Sequence, residues 1–369
     1  MFPAVDPIPL PAPVWLFRVL HVTTLALHFL SLHLLVGGLL MASIWTLMAR
    51  GGRNAPMRDA AGAVANRLPI IMTFVINLGV PPLLFTQVLY GRALYTSSVL
   101  IGAWWIAVIG LLMAAYTLLY VANARSTRGK GWGWIGLVAL LLIFKIAFIY
   151  SSNMTLMLRP EVWPAMYQDN PSGVQFNSGD PTVMPRLIFM LAGSLAVGGV
   201  GMMFLGLKKF LAAETTLFLR RWGARLAAIG IVAQAGAGFW VMSTQPEAVR
   251  EGLAASSVYS GCLIAWGATA VLLLGVGVVA QLKASAPGWL MPSVAGLLAF
   301  VNVAAMTLFR DGIREVTLGL HGFDVWDRAV ATNWIVVGVF LVLFVAGLGV
   351  IFWLGSVVAR AKGVEERYA

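Results

Sequence analysis

Residues Val19 to Ala42 read VLHVTTLALHFLSLHLLVGGLLMA. The stretch is apolar enough to cross a bilayer, yet it carries His21, His28 and His33, three of the four histidines in the chain; the fourth is His321. A histidine inside a membrane helix needs partners that lipid does not supply, so such residues mark a site or a buried polar contact.

The rest of the composition agrees with a membrane setting. The 369 residues are 60% hydrophobic and only 11% charged, against roughly 25% charged residues in a soluble domain. A chain of this kind is an all-α polytopic membrane protein, because a spanning segment must satisfy its own backbone hydrogen bonds. The 14 Trp and 39 Gly suit membrane–water interfaces and close helix packing. The single cysteine, Cys262, excludes an intrachain disulfide, a cysteine-based metal site and a covalent c-type haem motif. The Pro-rich N-terminus has no basic segment of the kind that opens a signal peptide.

Hydrophobic runs of roughly 20 residues fall at 14–49, 68–92, 99–123, 132–152, 184–207, 223–243, 257–281, 289–309 and 331–358. These predict about nine transmembrane helices in a single membrane domain, 1–369, with one long outer loop, 152–183. No Asp or Glu falls inside any of the nine runs, which argues against a proton-translocating engine. Of the 25 Lys and Arg, 16 lie in or at the edges of the odd-numbered connections and the C-terminus, and 7 in or at the edges of the even ones. The positive-inside rule then puts the N-terminus outside and the C-terminus in the cytoplasm. It also assigns the net charge of +11 to a collar facing anionic lipid, so nucleic acid is not an expected partner.

Steps of three and four residues place Arg18, His21, Leu25, His28 and Leu32 on one face of the first helix, whereas His33 points away from it. His28, the deeper of the two facing histidines, is the candidate axial ligand of a haem iron. Arg18, above it, is a candidate for a haem propionate or an anionic lipid head. The alternative is structural: His21 at the interface, His28 and His33 hydrogen-bonded to neighbouring helices. A second axial ligand would come from His21, from His321 in the last outer connection, or from a methionine such as Met306, Met291 or Met190.

Further along, Pro81–Pro82 predicts a kink in the second helix, with Asn77, Thr86 and Gln87 available to the freed carbonyls. Lys145, midway along the fourth helix, requires a partner or must snorkel. Arg159, Arg186, Arg310 and Arg314 share the outer side with His21 and His321. They are candidate quinone- or propionate-binding groups, the alternative being ordinary loop salt bridges with Glu161, Asp180, Asp311 and Glu315.

Two stretches resemble the large, haem-bearing subunit of cytochrome bd-type quinol oxidases. His28-Phe29-Leu30 followed by Gly38-Leu39 is similar to that family's first helix, whose histidine ligates haem. Asn77, Gly79, Gln87, Tyr90 and Gly91 are similar to its second. The family's haem-ligating histidine early in the fifth helix has no counterpart in MPRLIFMLAGSLAVGG, Met184 to Gly199, and its Gly-Arg-Gln-Pro-Trp signature and the glutamates of its third helix are absent. The resemblance implies a subunit of a respiratory electron-transfer complex in the bacterial inner membrane. It would hold one b-type haem and exchange electrons between the quinone pool and a partner, a cytochrome c or a second bd-like subunit. Dioxygen reduction by this chain alone is not implied, and a haem-free scaffold subunit is the alternative.

Overall fold

The computed structural model describes residues 2–3, 8–49, 54–177 and 179–360, with backbone alone for 358–360. Arg50, Arg53, Lys362 and Arg367, which weigh in the charge count, lie outside them. Twelve α-helices follow one another: α1 (Val14–Met48), α2 (Ala55–Ala65), α3 (Leu68–Leu100), α4 (Gly102–Thr127), α5 (Gly133–Leu156), α6 (Trp163–Asp169), α7 (Val183–Leu205), α8 (Ala213–Ser243), α9 (Glu247–Ala255), α10 (Ser257–Leu282), α11 (Leu290–Leu320) and α12 (Trp334–Arg360). With α2 counted into α3, nine candidate spans among the described residues are long and apolar enough to cross a membrane.

The centre of the bundle is α1, which packs against α3, α5, α7 and α11. It is apolar around its whole circumference, as a helix enclosed by others must be. Buried side chains recur along its full length, from Val14 to Trp45. At its crossing with α7 the two backbones come into contact, and glycine is the reason. A Cβ on Gly37 would overlap the Ser194 carbonyl, and one on Gly198 would stand 2.9 Å from the Gly37 Cα. Small residues at such a crossing let two backbones touch, which is how helices gain contact where lipid is as apolar as leucine.

Several expectations change. α8 begins at Ala213 rather than 223, α3 runs to Leu100 rather than 92, and α11 runs to Leu320 rather than 309. The apolar runs stopped at charged or polar residues that the helices carry onward. As a result Asp311, 2% exposed, is buried inside α11, so the expectation of spans free of acidic residues does not hold. Pro81 and Pro82 sit within α3, whose departure from helical backbone falls instead at Tyr90 (φ −124°, ψ 23°). Asn77 bonds the Thr73 carbonyl and Thr86 bonds that of Pro82.

The long connection after α5 is ordered. It opens with a 3-10 turn, Pro160–Val162, continues into α6, and turns back at Gly173, whose φ of 74° suits glycine. Gly173 O accepts from Ala103 N at 3.1 Å and Val174 O from the Trp104 indole at 2.6 Å. Lys145 finds its partners here. Its ammonium lies 4.6 Å from the ring centres of both Trp104 and Phe176 and 5.6 Å from Phe148. Aromatic faces, not a carbonyl or carboxylate, receive this charge.

The α1–α7 crossing leaves no room for a methyl group. Gly37→Ala should destabilise the protein by about 1–3 kcal/mol, the usual cost of overpacking. Gly338→Ala in α12, where nothing lies within 4 Å of an added Cβ, should be neutral. Thermal unfolding of the two variants in the same detergent checks both.

Candidate functional site

Three polar residues on α11 organise the site. Asp311, Arg314 and Glu315 follow one another at helical spacing, and α1, α3 and α10 bring their partners. Arg18 of α1 donates to Asp311 Oδ2 at 2.8 Å, to Glu315 Oε2 at 2.7 Å and to the Tyr259 hydroxyl at 3.2 Å. Tyr259 of α10 donates to Glu315, and the Trp326 indole donates to the other Glu315 oxygen at 2.8 Å. Asp311 Oδ1 takes the Tyr90 hydroxyl of α3 at 3.2 Å and Arg314 Nη1 at 3.5 Å. The Arg314 guanidinium lies over the Tyr90 ring, 4.8 Å from its centre.

His21 ends this chain of contacts. One ring nitrogen, Nδ1, faces the Pro82 carbonyl at 3.1 Å, and the other, Nε2, faces Arg314 Nη1 at 3.1 Å. A carbonyl only accepts and a guanidinium only donates. The tautomer is therefore fixed, with the proton on Nδ1 and the Nε2 lone pair spent on Arg314. His21 is 2% exposed, so it sits inside the bundle rather than at the interface.

His28, two turns deeper, is arranged differently. Nδ1 lies 3.0 Å from the Val75 carbonyl of α3 and donates to it. Nε2 has no hydrogen-bond partner among the described residues. The ring lies over Gly79, where a Cβ would come within 2.9 Å. Glycine at 79 is thus what admits the imidazole between α1 and α3.

Arg310 precedes Asp311 on α11 and points to the His28 side of α1. Its guanidinium lies 5.7 Å from the Phe29 ring centre and makes no hydrogen bond or ion pair among the described residues. Arg186 of α7 has a buried Nε with no hydrogen-bond partner. Arg186, Arg310 and Arg314 lie within electrostatic range of one another, and Arg310 within range of His28. Asp311 is shared between Arg18 and Arg314, Glu315 also pairs with Arg18, and Asp180 acts on Arg186, so the four guanidiniums Arg18, Arg186, Arg310 and Arg314 face three carboxylates. Arg310, with unspent donors, stands within electrostatic range of His28, whose Nε2 lone pair is unspent.

The other sequence candidates fall elsewhere. Arg18 meets Asp311 and Glu315 through Nη2, so protein carboxylates already pair with it. Arg159 bonds Asn177 Oδ1 at 3.0 Å and Glu161 at 3.3 Å, tying the long loop rather than joining the other arginines. His321, the residue after α11, lies 3.8 Å from Glu161, so its contact is with that loop and not with His28. Met306 Sδ lies 3.9 Å from the Gln234 amide of α8. Met190 and Met291 pack in the same apolar cluster as Phe29. His33 is fully buried, and neither nitrogen has a partner, so the expected hydrogen bond to a neighbouring helix is not formed. Sequence reasoning missed Tyr259, gave Tyr90 only a place in the second-helix pattern, and offered Asp311 and Glu315 only as loop salt-bridge partners. Their spacing on α11 was the available signal, and it required the helix to continue past Phe309.

No protein-family model matches the chain, and no curated protein sequence does. Its fold is nevertheless found among solved structures. The structure of bd oxidase from Geobacillus thermodenitrificans matches with a TM-score of 0.72 at 13% sequence identity, covering 95% of this chain and 98% of that one. The chain has the bd oxidase fold, as the resemblance at the first two spans implied.

Asp311 is the carboxylate that pairs with the buried Arg314 and one of two that pair with Arg18, so removing its charge leaves Arg314 without an ion-pair partner among the described residues and Arg18 with Glu315 alone. Asp311→Asn should destabilise by about 3–5 kcal/mol. Tyr90→Phe, which removes one neutral donor, should cost about 1 kcal/mol. Thermal unfolding of the pair, read against wild type, should rank them in that order.

Proposed function

We propose that this chain is an electron-transfer subunit of a quinol-oxidase-like membrane complex and holds one b-type haem through His28. The observation that carries the reading is the division of the His28 ring. Nδ1 is committed to the Val75 carbonyl, which orients the imidazole and makes Nε2 the lone-pair nitrogen, as the outer-sphere partner of a ligating histidine does. Arg310 and Arg186 would receive the propionates, for which charge-assisted bonds from guanidinium are well suited. Phe29 would line the pocket beside Arg310. A bound b-type haem supplies a one-electron iron couple.

The second axial position is narrowed. His21 has spent both nitrogens and His321 is held at the long loop. Met306, Met291 and Met190, which share the apolar cluster of Phe29, remain as candidates. The bd oxidase fold supports placing this subunit in a respiratory complex. There it would exchange electrons between the quinone pool and a partner redox protein, a cytochrome c or a second subunit of the same fold. The positive-inside count supports an N-terminus outside and a C-terminus in the cytoplasm of a bacterial inner membrane.

An absorption spectrum of the purified protein tests the reading. A Soret band is expected in wild type and in His21→Ala, and its loss in His28→Ala. Arg310→Gln should keep the band and lower the midpoint potential, because a nearby cation favours the electron-rich state; a redox titration reads this. A colourless wild type that copurifies with a haem-bearing partner would sink the proposal in favour of a haem-free scaffold, and an unchanged band in His28→Ala would sink the assigned ligand.

A further inference from the structure

His33 lies on a different face of α1 from His28 and is fully buried. Neither Nδ1 nor Nε2 has a hydrogen-bond partner among the described residues. A neutral imidazole carries one proton and one lone pair, and burying either without a partner is costly. A leucine or phenylalanine at 33 would fill the same space without that cost.

The ring is turned toward a second polar group. α7 packs against both α1 and α8, and at Gly193 it lets side chains from the two sides converge. A Cβ there would stand 3.2 Å from His33 Cε1 and 2.5 Å from Gln234 Nε2. Cε1 is bonded to both ring nitrogens, so the polar edge of the imidazole is the one that faces α7. Gln234, from α8, is 2% exposed. The one hydrogen bond of its amide nitrogen among the described residues goes to the Met306 thioether at 3.9 Å, and sulfur is a weak acceptor. The adjoining Ser194 hydroxyl donates to the Met190 carbonyl at 2.8 Å, so its proton is already spent. Phe29 lies parallel to the His33 ring, centres 6.4 Å apart, and offers no hydrogen bond.

From this convergence we propose that a water molecule is bound beside Gly193 between His33 and Gln234, an internal hydration site that bridges α1 to α8 across α7. The water accepts from the Gln234 amide and donates to the lone-pair nitrogen of His33. Buried waters serve polar groups of this kind and need two to four such partners. The chemistry separates water from its rivals. A soft metal ion would suit an imidazole and a thioether, but the thioether here already faces an N–H donor, which repels a cation. An apolar ligand would leave the imidazole and the amide as bare as before. Glycine at 193 has its reason in this arrangement, because any side chain there would take the place of the water. Neither His33 nor Gln234 has a part in the haem reading, so the two proposals fail separately.

The test is solid-state NMR of the full-length protein in lipid bilayers with 15N-labelled histidine, following magnetisation passed from water protons to the imidazole nitrogens. There are four histidines, and His33→Phe assigns the signal in question. Transfer to the His33 ring is expected in wild type. His21, whose two nitrogens are taken by Pro82 and Arg314, is the internal control. Gln234→Leu should weaken transfer to His33 and leave the His21 signals in place. Thermal unfolding adds a second readout. The melting-temperature losses of His33→Leu and Gln234→Leu should sum to more than the loss in the double variant, because both variants release the same water. No transfer to His33 in wild type, transfer unchanged in Gln234→Leu, or strictly additive losses would each overturn the proposal. So would a His33 signal that moves when a chelator is added, which is the mark of a metal ion in place of water.

Discussion

Everything at the end of the bundle where α1 begins depends on one buried carboxylate. Asp311 is 2% exposed and receives donors from α1 (Arg18), α3 (Tyr90) and its own helix (Arg314). Taking a carboxylate out of water is expensive, and the cost is offset only when geometry and additional hydrogen bonds are good. Here the offset requires three helices to meet in one arrangement, with α10 joining through Tyr259 and Glu315. Apolar side chains alone would pack these helices in many registers, because lipid competes with every apolar contact. The carboxylate selects one register.

That register sets the chemistry deeper in the bundle. Successive α-helical residues turn by about 100°, so pinning Asp311 aims Arg310 around the helix toward Phe29. Arg314, three residues on, lies near the Asp311 face and reaches His21. The two histidines of α1 thereby become unequal. His21 meets a guanidinium that fills its Nε2, while His28 meets only a backbone carbonyl and keeps Nε2 open. Helical phase alone made them equivalent neighbours; α3 and α11 distinguish them. Gly79 and Val75 complete the distinction, one by making room for the ring and the other by holding its proton.

The membrane class and the count of long apolar helices were legible in the sequence because each span is a continuous run whose signal needs no partner. So was the likeness of the first two spans to bd oxidases, since His28-Phe29-Leu30 and Asn77 to Gly91 are local patterns. The polar cluster was not legible. Arg18 and Asp311 are 293 residues apart in the chain, and each reads alone as a charge that should end a helix or face water. The stretch Arg310 to Glu315 was therefore assigned to a connection rather than to a helix, and α11 was cut about three turns short. Lys145 failed the same way. Its partners are rings on α4 and the long loop, and aromatic residues in an apolar stretch look like packing. His33 is the converse case, since its isolation on the far face of α1 was legible while the absence of any partner was not.

The buried Asp311 also removes one argument and supplies another. The absence of acidic residues from the spans had spoken against proton coupling, and that premise no longer holds. Yet the position of Asp311 differs from that of a proton carrier in a membrane pathway. It is bound on one oxygen by Arg18 and on the other by Tyr90 and Arg314, so it acts as a counter-ion whose displacement would strand Arg314 and leave Arg18 to Glu315 alone. A carrier must exchange partners as it loads and unloads, whereas this carboxylate is the fixed point from which three helices take their register. Unspent capacity remains elsewhere, at His28 Nε2, at the Nε of Arg186 and at Arg310, none of which bonds to this carboxylate.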